Sequence, residues 1–235
     1  KGTKSADHTL QAFNEWKGAS ETIESFYADN APELIKAARK AGWRMPTATP
    51  GVPQTNGLAE VTVRKCKEGT RTNLSQSGLI AEWWKYGGKH HCGARNILTI
   101  NGTSPYLERH GERCKALLIP FGALVDYMPT PTPGKPPPFD MKTRTGLFLG
   151  WHFNPGGVWS GDYYVADFEP FRTKPDARPC NTKIHRVKEV VPPGQVSTLA
   201  FPLGEYRSKQ RRTVLDPDAP NPAETAVQDT RQDIA

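Results

Sequence analysis

The sequence predicts a mixed α/β amino-terminal half, a small all-β barrel behind it, and a polar carboxyl-terminal tail. Three observations carry that prediction. Helix-like and strand-like stretches alternate over residues 6–98, the pattern of an α/β layer. Short apolar runs separated by Pro/Gly loops follow between residues 116 and 192, the pattern of a small barrel. Beyond Pro193 the chain turns polar and loses its periodicity. Its last twenty residues set five carboxylates against Arg231 alone, which predicts disorder there.

The elements follow in order. Residues 6–17 have the period of an amphipathic helix, with Leu10, Phe13 and Trp16 inward. Residues 22–29 read as a short strand ending at Asp29. Asn30 then caps a helix over 31–41, with Pro32 near its first turn, Glu33 at N3 and Gly42 as its stop. A short strand from Trp43 leads into a loop marked by Pro50, Gly51, Pro53, Asn56 and Gly57. Asn56 is a good cap for the next helix, and no proline follows until Pro105. Helix is expected to continue over 78–98, anchored by Leu79, Ile80, Trp83, Trp84 and Tyr86. Both tryptophans are read as core or interface groups, and Gly87 and Gly88 as an interruption of the helix. From residue 116, L-L-I-P-F-G-A-L-V-D-Y-M reads as extended, and a proline-rich loop spans 129–138. T-G-L-F-L-G-W-H-F at 145–153, D-Y-Y-V-A-D-F and T-K-I-H-R-V-K-E-V-V supply further strands, with G-G-V-W-S-G-D as a turn.

The helix beginning near Gly57 organises the functional reading. Glu60, Arg64, Lys67 and Arg71 recur at offsets of 0, 4, 7 and 11, so they share one face. The neighbouring face carries Ala59, Val63, Cys66, Thr70 and Leu74, which are small or apolar and are expected to pack inward. The plain reading of the charged face is a solvated surface with i,i+4 ion pairs. The functional reading takes Asp29 with it. A strand-end aspartate and a helix-borne glutamate can converge on a divalent cation, as phosphoryl transfer requires. Cations on the same helix face would then hold nucleic-acid phosphates.

Y-A-D-N at 27–30 and T-P-G-V-P-Q-T-N-G-L-A-E at 49–60 resemble the integrases of copia-type retrotransposons, within the retroviral integrase superfamily. The run of F-G, G-L-F-L-G-W, Y-Y-V and H-R-V-K-E-V-V resembles the SH3-like domain that follows the copia integrase core. Together the matches cover roughly residues 3–192. The resemblance implies an RNase H-like core over 1–112, incomplete at its amino end, an SH3-like barrel over 116–192, and a tail over 193–235. It implies that Asp29 and Glu60 are the second and third members of an Asp, Asp, Glu triad, hence catalytic and metal-binding, with Mg²⁺ or Mn²⁺ as cofactor. Arg64 and Lys67, and Arg71 beyond them, would contact DNA, while Asn56 and Gly57 would shape the loop. The activity implied is DNA integration by strand transfer, in which a 3′ hydroxyl attacks a target phosphodiester. The partners implied are element ends and target DNA, the active form a homo-oligomer, and the place of action nuclear.

The first aspartate of the triad has no match. Asp7 is the only aspartate before Asp29, and it sits at a helix start. The sequence opens at Lys1 without methionine, as expected of a polyprotein fragment. The alternative expectation is therefore a catalytically inactive, integrase-like nucleic-acid-binding protein. A third makes the barrel a protein-interaction module.

Composition fits a polyanionic partner. The net charge is +7, and the acidic end leaves the basic excess on the body. Arg207, Lys209, Arg211 and Arg212 form a basic cluster that reads as nucleic-acid binding, a nuclear address, or a solvated tail. Cys66, Cys92, Cys114 and Cys180 contain no C-x-x-C and are read as reduced thiols of an intracellular protein. His90, His91 and Cys92, with His110 and Cys114 further on, lack the paired spacing of a structural zinc site. No apolar run approaches twenty residues, so no membrane span is expected.

Overall fold

The computed structural model describes residues 5–19, 21–47, 57–129, 139, 142–192 and 199–215, with side chains as far as residue 211. Helix α1 (Ala6–Lys17) starts where the Ser5 hydroxyl accepts the Asp7 amide, and ends at Gly18. Phe13 packs against Phe26 and Trp43, with ring centroids 4.8 and 5.0 Å away. Trp16, expected to point inward, is instead exposed. The Arg109 guanidinium covers its ring at 4.9 Å. Arg109 also grips Glu21 through two hydrogen bonds of 2.6 and 2.8 Å, and donates to the Trp16 carbonyl at 2.7 Å. Trp16 thus serves the joint between α1 and the rest of the molecule.

The stretch 22–29 is not a continuous strand. Ser25 and Ala28 bridge Arg44 and Thr47 in parallel, as two isolated bridges. A lone pair of short strands lacks the neighbours that stabilise a sheet. Helix α2 (Pro32–Ala41) is capped by Ala31, not Asn30; the Ala31 carbonyl accepts the Leu34 and Ile35 amides. Pro32 presets the first helical residue, which moves Glu33 from N3 into the position after it. Gly42 ends α2 in the left-handed region, as expected.

Helix α3 (Gly57–Ser77) begins where the sequence predicts, although Asn56 and the loop 48–56 lie outside the described residues. It does not run on through 78–98. Gly78 takes φ of 71°, a short 3₁₀ turn at Ala81–Trp83 follows, and α4 (Trp84–Ile97) returns alongside α3. Gly87 and Gly88 therefore do not interrupt a helix; both lie inside α4, on the side facing α3. A Cβ at Gly87 would touch Thr70, Leu74 and Phe121, and the Asn73 amide donates to the Gly87 carbonyl at 2.9 Å. The close approach of two helices outweighs the cost of glycine in a helix interior. Trp83 is fully buried and its indole N–H donates to the Ala177 carbonyl at 2.9 Å. Trp84 is exposed. The Cys66 and Cys92 sulfurs meet at 3.8 Å across the hairpin.

Helix α5 (Pro105–His110) leads to a five-stranded antiparallel sheet of order β4-β3-β2-β1-β5. Its strands are β1 (Leu124–Tyr127), β2 (Arg144–Phe153), β3 (Trp159–Asp167), β4 (Ile184–Val187) and β5 (Val190–Val191), with α6 (Glu169–Thr173) between β3 and β4. Only 124–127 of the extended stretch after 116 joins the sheet. β2 is buried on both faces from Gly146 to Trp151. Leu147 and Leu149 face one apolar cluster, Phe148 and Trp151 the other. A bulge between Phe148 and Gly150 shifts the alternation by one residue.

The helical hairpin and the sheet share a core. Leu79 and Trp83 pack with Phe121, Leu147, Leu149, Ala166, Phe171, Ala177 and Leu203. His90 lies at the same junction, stacked on Trp151 at 4.7 Å. Its Nε2–H donates to the Ile119 carbonyl at 3.0 Å, and Nδ1 accepts from the Asn73 amide at 3.3 Å. Burial pushes its pKa down to about 4. Leu203 belongs to α7 (Pro202–Leu215), a helix formed by part of the stretch expected to be unpatterned tail. Residues 130–138 of the proline-rich loop expected over 129–138, and residues 216–235, lie outside the described residues. Among the described residues, no helix is long and apolar enough to cross a membrane.

Candidate nucleic-acid interface

Helix α3 changes character along its length. Its carboxyl-terminal half packs on α4 and ends at Ser77, which is buried. Its amino-terminal half stands out from the body. Leu58 is 85% exposed and Val63 51%, so the face expected to pack inward does so only from Cys66 onward. Ala59 and Val63 border the charged face instead. Helix holds in this half despite its β-branched residues, and the Thr62 hydroxyl bonds back to the Leu58 carbonyl at 2.8 Å.

Glu60, Arg64, Lys67 and Arg71 lie together along one open groove with Ala59, Val63 and Glu68. The sequence period located this row. The i,i+4 ion pairs of the plain reading are not formed. Among the described residues, Arg64, Lys67 and Arg71 have no carboxylate within 4.0 Å, although Glu60 and Glu68 border the same groove. Three exposed cations thus lie on one side of one helix with no carboxylate partner among the described residues.

Arg71 also borders a second cleft. Its other lining residues include Ser75, Gly78, Gly204, Arg207, Ser208 and Arg211, so α3 and α7 meet along it. Sequence reading placed Arg207 and Arg211 in a tail. The signal that would have moved them is the apolar pair Phe201 and Leu203 just ahead of the basic run.

Asp29 is exposed, one residue past the Ala28–Thr47 bridge, and Glu60 is exposed in the first turn of α3. Carboxylate oxygens suit Mg²⁺ or Mn²⁺. Two of them on separate elements fall short of a donor set, and among the described residues no three His, Cys, Asp or Glu side chains gather to hold a metal ion. Gly57 is the first residue of α3.

No protein-family model matches the chain, and no curated protein matches it. Among solved structures, it is similar to a chain in the cryo-EM structure of a simian T-cell lymphotropic virus intasome in complex with PP2A regulatory subunit B56 gamma. The identity is 13% and the TM-score 0.37, over 81% of this chain and 65% of that one. The likeness is too loose to identify a fold.

Proposed function

We propose that the chain binds nucleic acid through the open face of α3, with Arg64, Lys67 and Arg71 on backbone phosphates. The observation that carries this is the row of three exposed cations without a carboxylate partner among the described residues. Phosphate oxygens are the partners such a row fits, and arginine offers them a planar fork. From residue 64 to residue 71 the helix rises about 10 Å, close to three phosphate-to-phosphate steps along one strand. Such contacts hold the backbone and carry no base information. The test is a DNA-binding titration at several salt concentrations. Arg64→Ala and Lys67→Ala each lower the slope of log affinity against log salt by about 0.9, equally for unrelated duplexes. Slopes equal to the parent's, or a loss confined to one sequence, contradict the reading.

The second reading is DNA integration by a copia-type integrase, with Asp29 and Glu60 as carboxylates for Mg²⁺ or Mn²⁺ and Asn56 and Gly57 shaping the loop between them. Its motifs support it, and so does the placement of Glu60 one turn ahead of Arg64. The meander of four strands, with β5 returning to β1, supports an SH3-like barrel over 116–192, while the RNase H-like core over 1–112 rests on the motifs. The active form in this reading is a homo-oligomer on element ends and target DNA. Mg²⁺ raises the melting temperature by ligand linkage if the two carboxylates share an ion. Glu60→Gln abolishes that rise, and an unchanged rise separates Glu60 from the metal.

A further inference from the structure

The nucleic-acid reading of α3 leaves the second basic cluster, at 207–212, unassigned. Its placement is built with some care. The first turn of α7 sinks Leu203 into the core shared by hairpin and sheet, at 4% exposure. Behind it the backbones of α3 and α7 come into contact. A Cβ on Gly78 would stand 2.3 Å from the Leu203 carbonyl carbon, and one on Gly204 would stand 2.4 Å from the Gln76 oxygen. Neither position accepts a side chain without moving the helices apart. Arg207 then locks the junction, donating through Nε to the Gly78 carbonyl and through Nη2 to Asp176 at 2.7 Å.

Residues 204, 207, 208 and 211 follow one another at helical spacing, so Arg211 lies one turn beyond the Arg207 clasp, on the same face. There it lines a cleft of about 240 Å³ with Arg71, Ser75, Gly78, Arg207 and Ser208. Among the described residues no carboxylate lines this cleft. Asp176 neutralises Arg207 alone, and Arg71 and Arg211 have no carboxylate within 4.0 Å among the described residues. Like charges converging in one cleft repel, and a bound anion relieves them. Two guanidinium forks and two serine hydroxyls are the donors that phosphate oxygens accept. Arg71 borders both this cleft and the α3 groove, so the cations run on without a break from Arg64 to Arg211. A line of forks suits a linear polyanion better than a flat anionic surface.

We propose that α7 extends the track: Arg211, held beside Arg71 by the Arg207 clasp, contacts the phosphodiester backbone of the nucleic acid that α3 binds. This rests on the reading of α3 given above, and the following experiment separates the two. The full chain is titrated into a fluorescein-labelled duplex of about 20 base pairs over a range of salt, followed by anisotropy. The parent is compared with Arg211→Ala, Arg211→Lys, the Arg64→Ala/Lys67→Ala pair, and Lys36→Ala on α2 as a control for bulk charge. Arg211→Ala weakens binding about threefold to tenfold and lowers the salt slope by about 0.9, while Arg211→Lys keeps the slope and Lys36→Ala matches the parent. If the α3 pair loses affinity while Arg211→Ala keeps both affinity and slope, the extension is overturned and the α3 reading stands. If neither matters, or the chain ignores DNA and binds phosphatidylserine vesicles instead, both are overturned.

Discussion

The two halves of α3 were drawn from the same alphabet and ended in opposite situations. Residues 69–77 lie against α4 and α7, with Ser77 buried and Gly78 pressed onto the Leu203 backbone. Residues 57–68 present Leu58, Val63, Arg64 and Lys67 to solvent. The packed half is shaped by neighbours where it meets them, at Gly69 and Ser77, while Arg71 stays exposed. The bare half meets α4 only near its end, where Cys66 faces Cys92, and Arg64 and Lys67 have no carboxylate partner among the described residues. The difference teaches that position in the fold, more than charge content, separates a structural helix from a binding one.

That contrast can be broken most forcefully at the buried end. Trp83→Ala, which empties the core beneath the hairpin, should cost about 3–5 kcal/mol in denaturant unfolding. Gly78→Ala should cost about 2–4 kcal/mol, since it combines a positive φ with contact against Leu203 and Gly204 backbone. Leu58→Ala on the bare half should stay within about 0.5 kcal/mol. If Leu58→Ala proved as costly as Gly78→Ala, the amino-terminal half would not be free.

Acid sharpens the same contrast. His90 is held neutral, so its folded pKa of about 4 lies below the ordinary value of 6.5. The unfolded chain takes up a proton between those values while the folded chain does not. Stability is therefore full above pH 6.5 and falls as pH drops toward 4, by at most about 1.4 kcal/mol per pH unit. Burial acts in the same direction on His91, His152 and His185. His90→Phe should lower stability at pH 7, by leaving the Ile119 carbonyl unpaired, and flatten part of this acid slope. An acid slope identical to the parent's would remove His90 from the account.

A smaller effect tests the joint with α7. Arg207→Ala removes the bonds to Gly78 and Asp176, costs about 1–2 kcal/mol, and should speed amide exchange in 202–211 more than in α4. Uniform exchange across both helices would mean that α7 is held by Leu203 alone.

Much of this was legible in the sequence. The bounds of α1, the stop of α2 at Gly42 and the start of α3 follow from local signals: Ser5, a left-handed glycine, and an unbroken helical period. The cation row was legible because a helix face is fixed by spacing alone. The rest depended on distant partners. Ala31 displaced Asn30 as cap because Pro32 had already fixed the backbone. Gly87 reads as a break until α3 is seen against it. The stretch from Pro202 reads as tail because its attachments, Leu203 in the core and Arg207 on Gly78 and Asp176, are to partners distant in sequence. Arg211 could not be joined to Arg71 by any local pattern.

The central claim is that the bare half of α3 binds phosphates and does nothing for stability. It is tested most directly by measuring melting temperature and the salt slope of DNA binding on one preparation of the Arg64→Ala/Lys67→Ala variant. The account predicts an unchanged melting temperature and a slope reduced by about 1.8, two phosphate contacts' worth of released counterions. An unchanged slope, or a fall in melting temperature that accompanies any loss of binding, would contradict it.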